Sequence, residues 1–93
     1  MDIQRQEHGR KGAFFIEKDG EWVAELTYLR TGGNTMVIDH TEVDPEFLGK
    51  HIGKNLVDAA VVFARENSMK IKPLCPYARG VIDATPAYHD VLA

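Results

Sequence analysis

The chain has 93 residues, 44% of them hydrophobic, and 11 Lys and Arg set against 14 Asp and Glu for a formal net charge of −3. That supplies apolar material for one modest core and no second domain, and a balance of mixed sign without a basic stripe excludes bulk binding to a nucleic-acid backbone. No apolar run approaches the roughly 20 residues of a membrane span and no charged-then-apolar leader opens the chain, so a single cytoplasmic domain over residues 1–93 is expected, without a membrane partner.

Residues 1–11 are polar apart from Ile3 and end in Gly9-Arg10-Lys11-Gly12, so they read as a loose segment with at most a short edge strand near Ile3. Residues 13–17 and 21–30 read as two strands. The Asp19-Gly20 pair between them is a residue choice suited to a tight hairpin turn. Strict alternation in the second strand puts Trp22, Ala24, Leu26 and Tyr28 on one face, where the aromatics are expected to pack in the core, with Tyr28 near a cleft. Thr31-Gly32-Gly33-Asn34 makes a second turn, and residues 35–43 return as a third strand.

Residues 41–67 are the stretch around which the chain is organised. Asp44-Pro45 turns the backbone, Gly49, Lys50, Gly53 and Lys54 come next, and Ile52, Leu56, Ala59, Ala60 and Phe63 then recur at helical intervals until about Asn67. A glycine inside a helix costs about 1 kcal/mol relative to alanine, so two of them at the start imply that the backbone is kept bare for a reason. A tight turn with close helix–sheet packing would explain either glycine alone. Together with two lysines and the unpaired first amides of a helix, they form a natural seat for a phosphate or pyrophosphate.

The spacing rules out two familiar phosphate motifs. A Walker A loop has four residues before its Gly-Lys and a hydroxyl residue after it, whereas three residues separate Gly49 from Gly53-Lys54 and Asn55 comes after. A dinucleotide fingerprint requires a third glycine and a βαβ unit, and hairpins precede this turn.

Residues 70–73 read as a short strand parallel to the previous one, stopped by Pro73 and Pro76. A short helix over residues 77–82 and a last turn capped by Thr85-Pro86 close the chain. The expected fold class is α+β, an antiparallel meander plus one parallel strand after a crossover helix, with short C-terminal helices. Cys75 is the single cysteine, and His8, His40, His51 and His89 are scattered, so neither an internal disulfide nor metal-ligand spacing is present and no metal is expected.

Leu48-Gly49-Lys50-His51-Ile52-Gly53 resembles motif A of the GNAT-type N-acetyltransferases, (Arg/Gln)-x-x-Gly-x-(Gly/Ala). Leu48 stands at the basic or amide position, and His51 stands at the first glycine. Three further elements resemble the very small YjdJ-like members of that superfamily. They are His40-Thr41-Glu42-Val43 before the turn, Pro73-Leu74-Cys75-Pro76-Tyr77 after the last strand, and the closing Pro86-Ala87-Tyr88.

The resemblance implies a minimal GNAT-like fold and acetyl-CoA as cosubstrate. Its pyrophosphate would sit on the turn, with contacts at Val43, Gly49, Lys50, His51, Ile52, Gly53, Lys54 and Asn55. Its pantetheine would enter the gap between the strands ending at Val43 and Leu74. It implies transfer of acetyl to an unidentified amine on a small molecule or protein. Cys75 is a candidate for transient acetylation or for assisting transfer, with the small buried hydrophobe as its alternative role. His40 and Glu42 are candidate bases, or else solvent-facing polar residues. Tyr77 and Tyr88 are expected to pack. The alternative function, favoured by Leu48 and His51, is a catalytically weak or inactive CoA-binding or protein-interaction module.

Overall fold

The computed structural model describes residues 2–93. The chain runs through β1 (Gln4–His8), β2 (Lys11–Lys18), β3 (Glu21–Thr31) and β4 (Thr35–Val43), with buried and less buried positions alternating through the middle of β3 and the first half of β4. A 3-10 turn at Pro45–Phe47 leads to helix α1 (Ile52–Glu66), β5 (Lys70–Pro73), helix α2 (Pro76–Asp83) and a 3-10 segment at Pro86–Val91. The sheet runs β1-β2-β3-β4-β5, antiparallel except for the β4–β5 pair that α1 crosses over. This is the α+β architecture expected, with one more strand in the meander.

The added strand is an edge strand next to Ile3, where the sequence allowed a short one, and it orders residues 4–8 of the segment expected to be loose. From Gln4 the segment pairs with β2 in full register, Gln4 opposite Phe15 through His8 opposite Lys11. It is held less by burial than by Glu7, whose carboxylate accepts from the Tyr28 hydroxyl at 2.8 Å and from Arg30 at 3.1 Å. Tyr28 is therefore buried and tied to the sheet edge, and the cleft expected beside it lies elsewhere. Gly12 makes room for it, since a Cβ there would collide with the Tyr28 ring.

One face of the sheet is covered and the other open. On the covered face α1 lays Ile52, Leu56, Val57, Ala60, Val61 and Ala64 against Phe14, Ile16, Leu26, Met36, Ile38 and Ile71. Each large side chain so buried contributes about 1.5–3 kcal/mol. The C-terminal 3-10 segment is clamped onto α1 by the Tyr88 hydroxyl on Asp58 at 2.7 Å and by a two-point Arg65–Asp90 pair at 2.7 and 2.9 Å. Tyr88 packs, as expected.

Two irregularities decide which side chains face which way. Between Ile16 and Glu17 the pairing slips, Ile16 opposite Ala24 but Glu17 opposite Trp22, which leaves Val23 as an extra residue. Trp22 consequently leaves the face shared by Ala24, Leu26 and Tyr28 and stacks on Phe15 at 4.0 Å between ring centres. That corrects the expected four-residue face. The second slip leaves Asp39 unpaired, because Thr27 lies opposite His40 while Tyr28 lies opposite Ile38.

Candidate functional site

The bulge at Asp39 reverses the facing of everything after it in β4. Thr41, opposite Leu26, and Val43, opposite Ala24, point to the helix side, while His40 and Glu42 point to the open face. There His40 Nε2 and Glu42 Oε2 lie 3.3 Å apart, both exposed, and Asp39 accepts from the Thr27 hydroxyl at 2.7 Å. The structure thus separates the two candidate bases from Cys75 by the thickness of the sheet.

Beyond Ile38 the parallel pair comes apart. β4 and β5 are registered only from Thr35 opposite Lys70 to Ile38 opposite Pro73. The Leu74 and Cys75 amides then both return to the Ile38 carbonyl, at 2.9 and 3.1 Å, and turn β5 away into α2. Among the described residues, 39–43 have no strand partner on that side, so a wedge opens in the sheet.

At its mouth lies the turn before α1. The first backbone hydrogen bond of the helix runs from Asn55 N to His51 O, and among the described residues no amide from 49 to 54 donates to a backbone carbonyl. Gly49 has φ +81° and His51 φ +59°, so the chain curls through left-handed geometry twice within three residues. The N-cap residue His51 makes no side-chain capping hydrogen bond. The outcome is a row of free donors at the positive end of a 15-residue helix.

A cleft of about 400 Å³ joins the turn to the wedge, lined by Thr41, Val43, Phe47, Leu48, Gly49, His51, Ile52, Gly53 and Tyr77. Among the expected contact residues, Val43, Gly49, His51, Ile52 and Gly53 line it. Lys50 and Asn55 border a separate hollow with Ile3, and Lys54 borders the adjoining groove between α1 and α2. Lys50 rests over the Phe47 ring at 5.6 Å, with Lys18 over the same ring at 5.3 Å. Both turn lysines therefore flank the cleft without entering it.

Tyr77 is half exposed on the cleft wall, which corrects its expected role as a packing residue. Pro76 begins α2, and the Tyr77 ring that follows it lies over the start of α1, where Gly53 leaves room for the phenol.

Cys75 caps α2 with extended backbone, and its buried Sγ lies 3.4 Å from Thr41 Oγ1 at the inner end of the wedge. Burial pushes this thiol up, but hydrogen bonding to the Thr41 hydroxyl and to the amides of Ala78, Tyr77 and Thr41 outweighs it and holds the thiol below its ordinary range. Thr41 and Tyr77 are the site residues that strand and helix periodicity alone do not reveal. Within the His40-Thr41-Glu42-Val43 element the threonine was the available signal.

The profile of the GCN5-related N-acetyltransferases matches residues 13–91. The chain belongs to that family. Among solved structures, a GCN5-like protein from Staphylococcus aureus superposes with a TM-score of 0.72 at 33% identity, over 97% of this chain and 87% of that one. Protein NATD1 of Xenopus tropicalis is 34% identical over 84 residues, covering 88% of this chain and 77% of the relative. The zebrafish (Danio rerio) protein of the same name is 33% identical, with 76% of its length covered. A Bacillus anthracis protein solved in complex with acetyl coenzyme A shares the fold at a TM-score of 0.58 and 18% identity, over 71% of this chain and 38% of its own. This family member is acetyltransferase-like in fold, and the S. aureus and NATD1 relatives are of comparable length. Among the described residues no helix is long and apolar enough to cross a membrane, and no cluster of three metal-ligating side chains is found.

Proposed function

We propose that the chain binds acetyl-CoA and passes its acetyl group to an amine. The observation that carries this reading is the run of unpaired amides over residues 49–54 opening directly into the β4–β5 wedge. A pyrophosphate accepting from those amides would leave the pantetheine arm alongside the splayed end of β4, and the thioester beside Thr41 and Cys75. Its acetyl-CoA-bound fold neighbour from B. anthracis supports the choice of ligand. The Tyr77 hydroxyl adds a donor at the turn end of the cleft, and Lys50 and Lys54 add charge at its rim.

An amine would reach the thioester carbonyl from the open face of the sheet, where His40 and Glu42 stand as bases for the proton it sheds. Asp39, Glu42 and Glu25 on or beside that face favour a positively charged acceptor before deprotonation. Transfer through an acetyl-Cys75 thioester is the less favoured variant. Leu48, largely exposed where the family motif has a basic or amide residue, favours the second reading, a CoA-binding module with little turnover.

Calorimetric titration with acetyl-CoA tests binding, and Lys54→Ala is expected to weaken it several-fold with a flatter salt dependence. Release of free CoA thiol in the presence of a panel of amines, with His40→Ala as control, then separates enzyme from module. Absence of heat with wild-type protein would remove both readings.

A further inference from the structure

We propose that Thr41 is a positioning residue for Cys75, its hydroxyl fixing the sulfur at the throat of the wedge and donating to it once the thiol has lost its proton.

The two side chains are brought together from opposite directions. The bulge at Asp39 turns Thr41 inward, where a regular strand would have turned it to the open face. On the other side the Cys75 amide is tied to the Ile38 carbonyl at 3.1 Å and Pro76 fixes the first turn of α2, so the Cys75 backbone is held at both ends. A β-branched residue on a strand has few side-chain torsions open to it, and the 3.4 Å Sγ–Oγ1 contact is therefore a pre-set geometry. While the thiol is protonated, its S–H donates to Oγ1. When it is ionised, rotation about one C–O bond lets the threonine O–H donate to the sulfur.

Charged groups do not supply this stabilisation. On the elements packed around Cys75, His40 and Glu42 of β4 face the other side of the sheet, and Asp58 of α1 is occupied by Tyr88. Among the described residues, the side chains of His51 and Lys54 of α1, Lys72 of β5, and Tyr77 and Arg79 of α2 make no hydrogen bond or ion pair with the sulfur. What does bear on its ionisation is burial, the Thr41 hydroxyl and nearby backbone amides, and of these only the hydroxyl belongs to a side chain. Thr41 is thus the one side chain whose replacement should alter the thiol directly.

The consequence for chemistry rests on the acetyl-CoA reading above. A Cys75 thiolate at the throat would attack the thioester carbonyl carbon, forming a new C–S bond as the bond to the CoA sulfur breaks. The CoA thiolate leaves with the electron pair and takes up a proton equivalent to the one Cys75 released. Thr41 forms and breaks no covalent bond in this exchange and acts through its contact with the Cys75 sulfur.

Because Cys75 is the single cysteine, iodoacetamide reads this thiol alone. Following alkylation by mass spectrometry across pH for wild type, Thr41→Val and Thr41→Ser is expected to show a midpoint moved to higher pH and several-fold slower labelling at neutral pH for the valine variant. Serine should restore the wild-type profile. Superimposable wild-type and valine profiles, or a serine variant that behaves like valine, would overturn the proposal, the latter by assigning the effect to packing. If the valine variant does not fold, Thr41→Ala supplies the same comparison. No acetyl-CoA is used, so a negative result here leaves the cofactor reading untouched, and the calorimetry that tests that reading does not involve Thr41.

Discussion

A Cβ placed on Gly53 would lie 2.7 Å from the hydroxyl oxygen of Tyr77, so the second glycine of the turn accommodates a side chain of α2 as well as a ligand. The obstructing atoms are the far end of a half-exposed ring, which can swing aside more readily than backbone. Gly53→Ala is therefore expected to keep the fold. The gain of about 1 kcal/mol from alanine in a helix roughly offsets the displaced ring contact. The cleft wall moves with the ring, so acetyl-CoA affinity should fall several-fold while Tm changes by only a few degrees. Thermal unfolding with calorimetric titration checks both. Unchanged affinity together with unchanged Tyr77 ring chemical shifts would mean that the ring is not part of the wall.

His51 stands where the family motif has its first glycine, and the structure gives a backbone reason for the family's choice. Its φ is +59°, left-handed geometry that costs an L-residue roughly 1–2 kcal/mol, although histidine is one of the side chains found there more often than most. The exposed ring caps no amide, so nothing offsets that cost. Replacement by glycine should raise stability by about 1 kcal/mol, or Tm by roughly 4–8 °C for a domain of this size. Acetyl-CoA binding should tighten as the Cβ leaves the cleft. His51→Val ought to do the reverse, since a β-branched residue tolerates positive φ poorly. A glycine variant that melts no later than wild type would contradict this account of the turn.

Glu7 fastens β1 to the rest of the molecule. Burial pushes its carboxyl up, but the hydrogen bonds from Tyr28 and Arg30 and the charges of Arg30 and Arg5 prevail and hold it below the ordinary carboxylate range. A depressed acid contributes stability that is present above its unfolded pKa and lost as pH falls through its folded one. Glu7→Gln is accordingly expected to cost about 1–2 kcal/mol at neutral pH, in the range for hydrogen bonds to a charged group, and to unfold with a shallower dependence on pH below about 4.5. Urea titrations at several acidic pH values provide the measurement. Equal stabilities at neutral pH would show that Glu7 does not dock β1.

How much of this could be read from the sequence depended on the range of the interaction concerned. The α1 helix, the short β5 ended by Pro73, and the Asp19-Gly20 turn, with φ of 53° and 80°, follow from spacing and from residues that shape their own backbone. The β1 strand has no such signal, since Gln-Arg-Gln-Glu-His is polar on both faces and its anchor, Glu7, finds partners more than twenty residues away. The two bulges are equally silent. An extra residue at Val23 or Asp39 is fixed by register across strands, and each sends every later side chain to the other face. For that reason the glycine turn before α1 was legible from motif and helix period, whereas the side on which His40, Glu42 and Thr41 lie was not.

Cys75 also bears on the folding equilibrium. Its thiol is held below the ordinary range in the folded protein, with burial opposing and hydrogen bonding to Thr41 and to nearby amides prevailing. Between the folded value and the unfolded one, about 8.5, the unfolded chain binds more protons, so stability rises with pH. The contribution is complete above the unfolded value and disappears as pH falls through the folded one. Burial, reinforced at Tyr88 by Asp58, raises the phenols of Tyr28 and Tyr88, which act in the opposite direction, but only near and above the ordinary phenol value of about 10. In urea unfolding, wild type is therefore expected to gain stability over Cys75→Ser steadily from neutral pH to about 9, and Thr41→Val is expected to flatten the gain. Parallel curves for wild type and the serine variant across that interval would show that the folded environment of Cys75 does not favour its thiolate.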